Sequence, residues 1–481
     1  VPPESGLYRG PVLFNPGGPG SGVDFIRSAR GEQFSSILGP QFDILSFDPR
    51  GVARSTPRVS FFESDVEREL WMSETIAANM SDVPRVWARA HVLSQLAGEA
   101  DTGYLRHVNT DNTARDMLRI FEAHGRSKIQ YWGFSYGTIL GATFAAMFPD
   151  KVERMVLDGV SDSEDYYASR WASGLMDTDK AMESFYTGCA AAGPDGCAFW
   201  APTTEEIRQN ASALSDFVRI SPIPTRTSLR YGLFDINKLD AALFTSLYFP
   251  YSSFPALAQG LSEVAAGTPK ILFDRENLPL YKCACDAPEC AYASVVDVAA
   301  AFFCNDGVDT PGDLQSTEEY FSLMKKLSPE WGINWAHIRM KCVGWPKFPK
   351  NHFRGPFIAN TSHPILLIGN TADPVSPLWV ANKMSKGFKD SVVLTQDSVG
   401  HGSVSAPSLC TQKYVRGYFI DGTLPGSGTV CLTVSQPFPL AGISIEGSGN
   451  QALFSEDLTS DEVGILEAIL NLSKDPGVVL F

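Results

Sequence analysis

Three side chains of this sequence could together perform acyl transfer: Ser135, Asp373 and His401, in that chain order. Ser135 lies in Ile129-Gln-Tyr-Trp-Gly-Phe-Ser-Tyr-Gly-Thr138, a short apolar run, a Gly-x-Ser-x-Gly core and the start of a small-residue helix. Glycines on either side relieve crowding at a strained strand-to-helix turn, which lifts the serine hydroxyl above the sheet. The amide of Tyr136, at the helix start, then faces the place where an oxyanion would form. A serine hydroxyl is a poor nucleophile without a base, so a histidine and a carboxylate must complete the site. Of seven histidines, only His401 follows a strand in the last third of the core, inside Val399-Gly-His-Gly402. Asp373, in Gly369-Asn-Thr-Ala-Asp-Pro-Val-Ser-Pro377, follows the preceding strand, with Pro374 fixing the turn. Asp397 and Asp158 compete for the carboxylate role. Asp397 would have to fold back on His401, and Asp158 ends the strand after the nucleophile helix. A second oxyanion donor is expected from Asn15-Pro-Gly-Gly-Pro-Gly-Ser-Gly22, where Gly18 is the best-placed amide. That loop lacks the GxGxxG spacing and no Gly-Lys-Ser/Thr follows, so it does not read as a nucleotide loop.

The elements around these residues predict how they are positioned. Gly10–Phe14 and Phe42–Phe47 read as strands, residues 63–108 as polar helix, and Thr110 or Asp111 as the cap of a helix reaching His124. The nucleophile strand, its helix and a buried strand at Val152–Leu157 follow. Short apolar runs alternating with helices signal a parallel sheet covered on both faces, an α/β fold. From about Ser161 to Trp345 the alternation stops and helical stretches dominate. It resumes with a strand at Pro364–Gly369, a helix at Leu378–Phe388, a strand at Val392–Thr395 and a tail helix capped by Thr459 and Glu462. The domain reading is therefore a core of residues 1–160 and 346–481, interrupted by a helical cap of residues 161–345. Both ends of that cap are expected on the sheet edge that carries Ser135.

Composition limits the partners. With 39 basic and 54 acidic residues the net charge is −15, and no basic stripe offsets it, so neither nucleic acid nor an anionic membrane is an expected partner. No apolar run reaches membrane-spanning length. Sequons at Asn79, Asn210, Asn360 and Asn471 and nine cysteines point to a secreted protein. Cys189 and Cys197 bracket a Gly/Pro loop, Cys410 and Cys431 a turn-rich segment, and Cys283, Cys285 and Cys290 cluster. The cluster lacks a nearby histidine as fourth metal ligand, so disulfides are expected and no metal or cofactor. The odd count leaves one thiol over.

These motifs resemble the secreted tripeptidyl aminopeptidase branch of the prolyl aminopeptidase-like α/β-hydrolases. The resemblance rests on Gly-Gly-Pro-Gly at 17–20, Asp-Pro-Arg-Gly at 48–51, Gly-Phe-Ser-Tyr-Gly-Thr at 133–138 and Leu-Asp-Gly-Val at 157–160. It continues through Gly-Asn-Thr-Ala-Asp-Pro-Val at 369–375 and Gly-His-Gly at 400–402. It takes in Cys304, Cys342-Val-Gly-Trp-Pro346 and the Cys410–Cys431 segment. It implies an α/β-hydrolase core with a helical cap, and a serine mechanism removing single residues or short peptides from N-termini. Bridges Cys189–Cys197, Cys304–Cys342 and Cys410–Cys431 are expected, with one further pair among Cys283, Cys285 and Cys290. Members of that family carry a further segment ahead of the glycine loop, so the first strands of the sheet are expected to be missing here, with an N-terminal fragment as a conceivable partner. An aminopeptidase also needs an anion for the substrate ammonium group, for which Glu164 and Asp165 are the candidates.

The expected activity is a secreted serine exopeptidase acting on peptides. A carboxylesterase or lactonase acting on a small ester is the alternative on the same core. A binding protein without catalysis would be expected to have lost one of the three residues.

Overall fold

Val12 and Phe14 face one hydrophobic cluster while Leu13 faces another, and Trp132 and Tyr131 divide in the same way. This period-two split is what a strand buried on both faces produces. The computed structural model describes residues 8–27, 29–72, 79–275, 295–438 and 458–475. Its strands in chain order are β1 (Gly10–Asn15), β2 (Phe42–Ser46), β3 (Ile129–Phe134), β4 (Val152–Asp158), β5 (Ile223–Arg226), β6 (Tyr231–Phe234), β7 (Leu366–Ala372), β8 (Val392–Val399) and β9 (Val430–Leu432). Seven of them form one parallel sheet in the order β2-β1-β3-β4-β7-β8-β9, while β5 and β6 make a separate antiparallel hairpin.

The chain runs outward from β1 to β2, returns to β3 beside β1, and then proceeds outward the other way. The neighbours β1 and β3 are thus the point where strand order reverses, and their connecting loops diverge into a crevice at the carboxyl ends. On one face lie Ala29–Leu38, Leu409–Asp421 and Ser460–Lys474, supplying Phe34, Phe419 and Ile469. On the other lie Thr110–Ala123, Tyr136–Met147 and Leu378–Ser385, supplying Phe121, Phe144 and Val380.

Between β4 and β7 the chain builds a mostly helical insertion, from Ser163–Tyr167 to Gly332–Met340, which also contains the β5–β6 hairpin. The helix Val83–Ala100, which precedes β3 in sequence, joins this layer: Ser94 donates to the Val343 carbonyl and Trp87 to that of Gly312. The polar stretch expected as one helix is broken, with helices at Asp65–Met72 and Val83–Ala100. Asn109, rather than Thr110 or Asp111, caps the next helix, its side chain accepting the Asn112 amide. Asn competes for its own local backbone as readily as Thr or Asp, and here it alone has extended φ/ψ at the boundary. The Thr459–Glu462 capping box forms in both directions.

The insertion leaves at the carboxyl end of β4, and beyond its far end the Phe353 amide still donates to Asp111, in the first turn of the helix that leads into β3 and so at that same edge. A strand parallel to β4 must be entered from its amino end, so the chain then runs back along the length of the strands before β7. Ala359 bridges to Phe388 on the way, and Ser362 donates to the carbonyls of Pro149 and Val152 near the start of β4. Disulfides join Cys189 to Cys197, Cys304 to Cys342 and Cys410 to Cys431. The last ties the helix Leu409–Asp421 to β9, a short edge strand without a clear signal in the sequence. Cys283, Cys285 and Cys290 lie outside the described residues.

Candidate active site

Ser135 follows β3 directly with φ +54° and ψ −121°, a backbone conformation that costs a non-glycine residue on the order of 1–3 kcal/mol. Neighbours hold it there. Its amide donates to the Asp158 carbonyl (3.2 Å), and its carbonyl accepts the Thr138 amide (2.8 Å) and hydroxyl (2.6 Å). A Cβ on Gly133 would fall 2.5 Å from the Gly137 carbonyl, and one on Gly137 2.7 Å from the Asn15 carbonyl. The glycines thus serve close packing as well as the turn. Because β1 pairs with β3, the glycine loop after β1 lies against the serine turn. A Cβ on Gly17, whose φ is +94°, would sit 2.6 Å from the Phe134 carbonyl and 2.7 Å from Ser135 Cβ. Gly18, Ser135 and Tyr136 line one cavity, with the Tyr136 amide in the first turn of its helix.

The other two residues arrive on the loops after β7 and β8. Asp373 is fully buried, and both its oxygens are 3.0 Å from His401 Nδ1. The amides of Val375, Ser376 and Gly402 also donate to it, at 2.8–3.0 Å. Asn370 Nδ2 holds the histidine loop by donating to the carbonyls of Gly400 (2.8 Å) and Gly402 (2.7 Å). From the insertion, Tyr248 accepts the His401 amide at its carbonyl (2.9 Å) and sets its ring edge-on to the imidazole at 5.2 Å. His401 Nε2 is buried and has no hydrogen-bond partner among the described residues. In unliganded enzymes the contact from nucleophile to base is often loose and tightens when substrate binds.

Both rival carboxylates are occupied elsewhere. Asp397 accepts from Thr371 Oγ1 (2.9 Å), and Asp158 from the Ser403 amide (2.7 Å), Ser403 Oγ (2.6 Å) and Trp132 Nε1 (3.2 Å). Burial pushes Asp158 up to about 6 against the pull of those donors. The structure separates the two anion candidates. Glu164 is exposed, pairs with Lys383 at 2.8 Å and is not part of the cavity wall. Asp165 does line the cavity, but Arg170 Nε (3.0 Å), the Ser173 amide (3.0 Å) and Ser173 Oγ (2.8 Å) already hold its carboxylate. Among the described residues no cluster of three His, Cys, Asp or Glu side chains could hold a metal ion.

A family model described as "alpha/beta hydrolase fold" matches residues 10–234, and one described as "TAP-like protein" matches residues 328–431. The chain is a serine hydrolase of the α/β-hydrolase family. Serine protease Hip1 of Mycobacterium tuberculosis is 27% identical over 449 residues, covering 89% of this chain and 82% of that one. The tripeptidyl aminopeptidase of Streptomyces lividans is 26% identical over 444 residues, covering 90% and 78%. Carboxylesterase B of M. tuberculosis is 26% identical over 440 residues, covering 89% and 81%.

Sequence reasoning missed three members of this α/β-hydrolase site. Ser376 Oγ lies 3.0 Å from His401 Nδ1 and also lines the cavity. It stands three residues after Asp373, in the turn its carboxylate organises, and that spacing was available as a signal. Asn370 is in the same segment. Tyr248 comes from the insertion, where no pattern marks a residue that will reach the core.

Proposed function

We propose that this hydrolase is a serine exopeptidase that releases residues or short peptides from peptide N-termini, with Ser135, His401 and Asp373 as its triad. The observation that carries the reading is the Asp373–His401 pair at the same sheet edge as a strained serine turn packed on a glycine loop. Ser135 Oγ attacks the carbonyl carbon as His401 Nε2 takes its proton. Asp373 fixes the imidazole orientation and stabilises its positive charge. The Gly18 and Tyr136 amides receive the oxyanion. Collapse of the tetrahedral intermediate passes the proton from Nε2 to the departing amine. Water then cleaves the acyl-enzyme by the same route in reverse.

The exopeptidase half of the reading rests on the roof. Residues 161–345 act as a cap: Tyr166, Trp171, Phe303, Trp335 and Ile338 come from it and wall the cavity beside Ser135. A roofed cavity admits a chain end more readily than a passing chain. Relatives described as a serine protease and as a tripeptidyl aminopeptidase support peptide substrates, while the similarity to a carboxylesterase keeps ester hydrolysis as the second reading. Three disulfides support an oxidising, extracellular location.

The test is a cleavage profile on matched peptides with free and acetylated N-termini, beside p-nitrophenyl esters. Release of N-terminal fragments from free peptides alone is the expected result. Efficient internal cleavage of a long blocked peptide would overturn the exopeptidase reading, and ester turnover without peptide turnover would favour the esterase.

A further inference from the structure

The cavity that opens at Ser135 has a volume of about 640 Å³, counting the open solvent at its mouth. Its surface is mainly apolar, with Ile139, Val160, Trp171, Phe303, Trp335 and Ile338 among the residues that line it. Three of the lining aromatic residues spend their polar tips inside the protein. Tyr136 OH is 2.6 Å from Thr110 Oγ1, Tyr166 OH donates to Asp306 (2.7 Å), and Trp335 Nε1 donates to the Trp171 carbonyl (2.6 Å). Tyr136, Tyr166 and Trp335 thus present ring faces and edges to the cavity rather than their polar tips.

Two carboxylates reach the wall, and both are already neutralised. Asp165 is paired with Arg170, and Asp162 accepts from Lys383 Nζ at 2.8–2.9 Å and from the Glu164 and Asp165 amides at 3.1 Å. A cationic group entering here would meet compensated charge, and an anionic group would meet two carboxylates. A bulky polar group would surrender its water over a mainly apolar wall, at a cost an apolar group does not bear. His401 is not on the cavity wall, whereas Ser135, Gly18 and Tyr136 are. The leaving group must finish within reach of His401 to take its proton, so whatever fills the cavity belongs to the acyl side.

We infer that this cavity selects a bulky apolar group, an aromatic or branched aliphatic side chain, on the residue whose carbonyl Ser135 attacks. The inference rests on Ser135 being the nucleophile and gives the proposed exopeptidase its substrate class. A single methylene in an apolar pocket is worth roughly 10–200-fold in discrimination. Leu or Phe at that position should therefore exceed Ala by about a hundredfold in kcat/KM, with Asp and Lys poorer still.

The experiment is a set of peptide p-nitroanilides that differ only in that residue (Phe, Leu, Ala, Asp, Lys), run beside p-nitrophenyl acetate and 3-phenylpropionate. The predicted order in the peptide series supports the inference. Ala, Asp or Lys within about threefold of Phe and Leu would overturn it while leaving the exopeptidase reading standing. Inert peptides with a strong preference for phenylpropionate over acetate would uphold the pocket and reject the exopeptidase. Ile338→Phe and Val380→Phe each fill the cavity, and in whichever folds the Phe-to-Ala ratio should fall at least tenfold. An unchanged ratio in a folded variant would place the selected group elsewhere.

Discussion

One imidazole N–H in this site faces three acceptors. For His401 Nε2 to act as base, Nδ1 must carry the proton, and Ser376 Oγ and both Asp373 oxygens stand 3.0 Å from it. Ser376 is thus a positioning residue that joins the triad to the cavity wall. A net hydrogen bond is worth about 0.5–1.5 kcal/mol, so Ser376→Ala should lower kcat/KM by roughly 2–10-fold, read from steady-state kinetics. Ser135→Ala should instead cost on the order of 10⁶ in rate with an unchanged circular dichroism spectrum, and a variant keeping a tenth of the activity would exclude Ser135 as nucleophile. Asp158 lends itself to a pH test. Its folded value of about 6 lies above the ordinary 3.8, so between the two the folded state holds more protons than the unfolded one. The stability it contributes is full below about pH 4 and is lost as pH rises through about 6. The Tm of the wild type relative to Asp158→Asn should therefore decline from pH 4 to pH 7, and a relative Tm that grows with pH would contradict the burial argument.

At the scale of elements, Cys304–Cys342 closes the largest of the observed disulfide loops, with a sequence separation of 38, and ties the helix Val295–Asp306 to the end of Gly332–Met340. Replacing both cysteines by alanine should cost about 3–4 kcal/mol of unfolding free energy by the loop-entropy estimate, measurable by denaturant titration. Those two helices also deliver Phe303, Trp335 and Ile338 to the cavity, so activity on large substrates should fall alongside stability. Core elements were legible in the sequence because each carries a local signature. The strand before Ser135 is an uninterrupted apolar run, and Thr459 with Glu462 announces its own helix. The Asp373 and His401 loops could be found because strand order constrains where a triad must fall. The insertion offered no such constraint: the apolar stripe of each helix is periodic in the sequence, but nothing in it says which neighbour that stripe will meet. That is why Tyr248 went unnoticed behind His401. It is also why Glu164 and Asp165 could not be told apart, since adjacent residues on a short helix face different ways and only one reaches the cavity.

At the scale of the whole molecule, the sheet has a seam. Strands β4 and β7 are neighbours through Val156–Leu366, Leu157–Leu367 and Asp158–Ile368, yet the chain between them carries the entire insertion. Closing so long a loop is entropically slow to compensate, and contacts of such sequence separation retard folding. A ribosome delivers Ser135, Gly18 and Tyr136 early, while Asp373 and His401 emerge only after the insertion has been made. The half-sheet β2-β1-β3-β4 can therefore collapse with its nucleophile in place and nothing to activate it. Docking of β7 and β8 joins the two parts of the sheet and brings the Asp373–His401 pair to the edge that carries Ser135, so with the proposed triad the onset of hydrolysis during refolding marks the closure of this seam. Until then the chain is a hydrolase whose serine has no base beside it, inert toward the unfolded copies of itself that surround it.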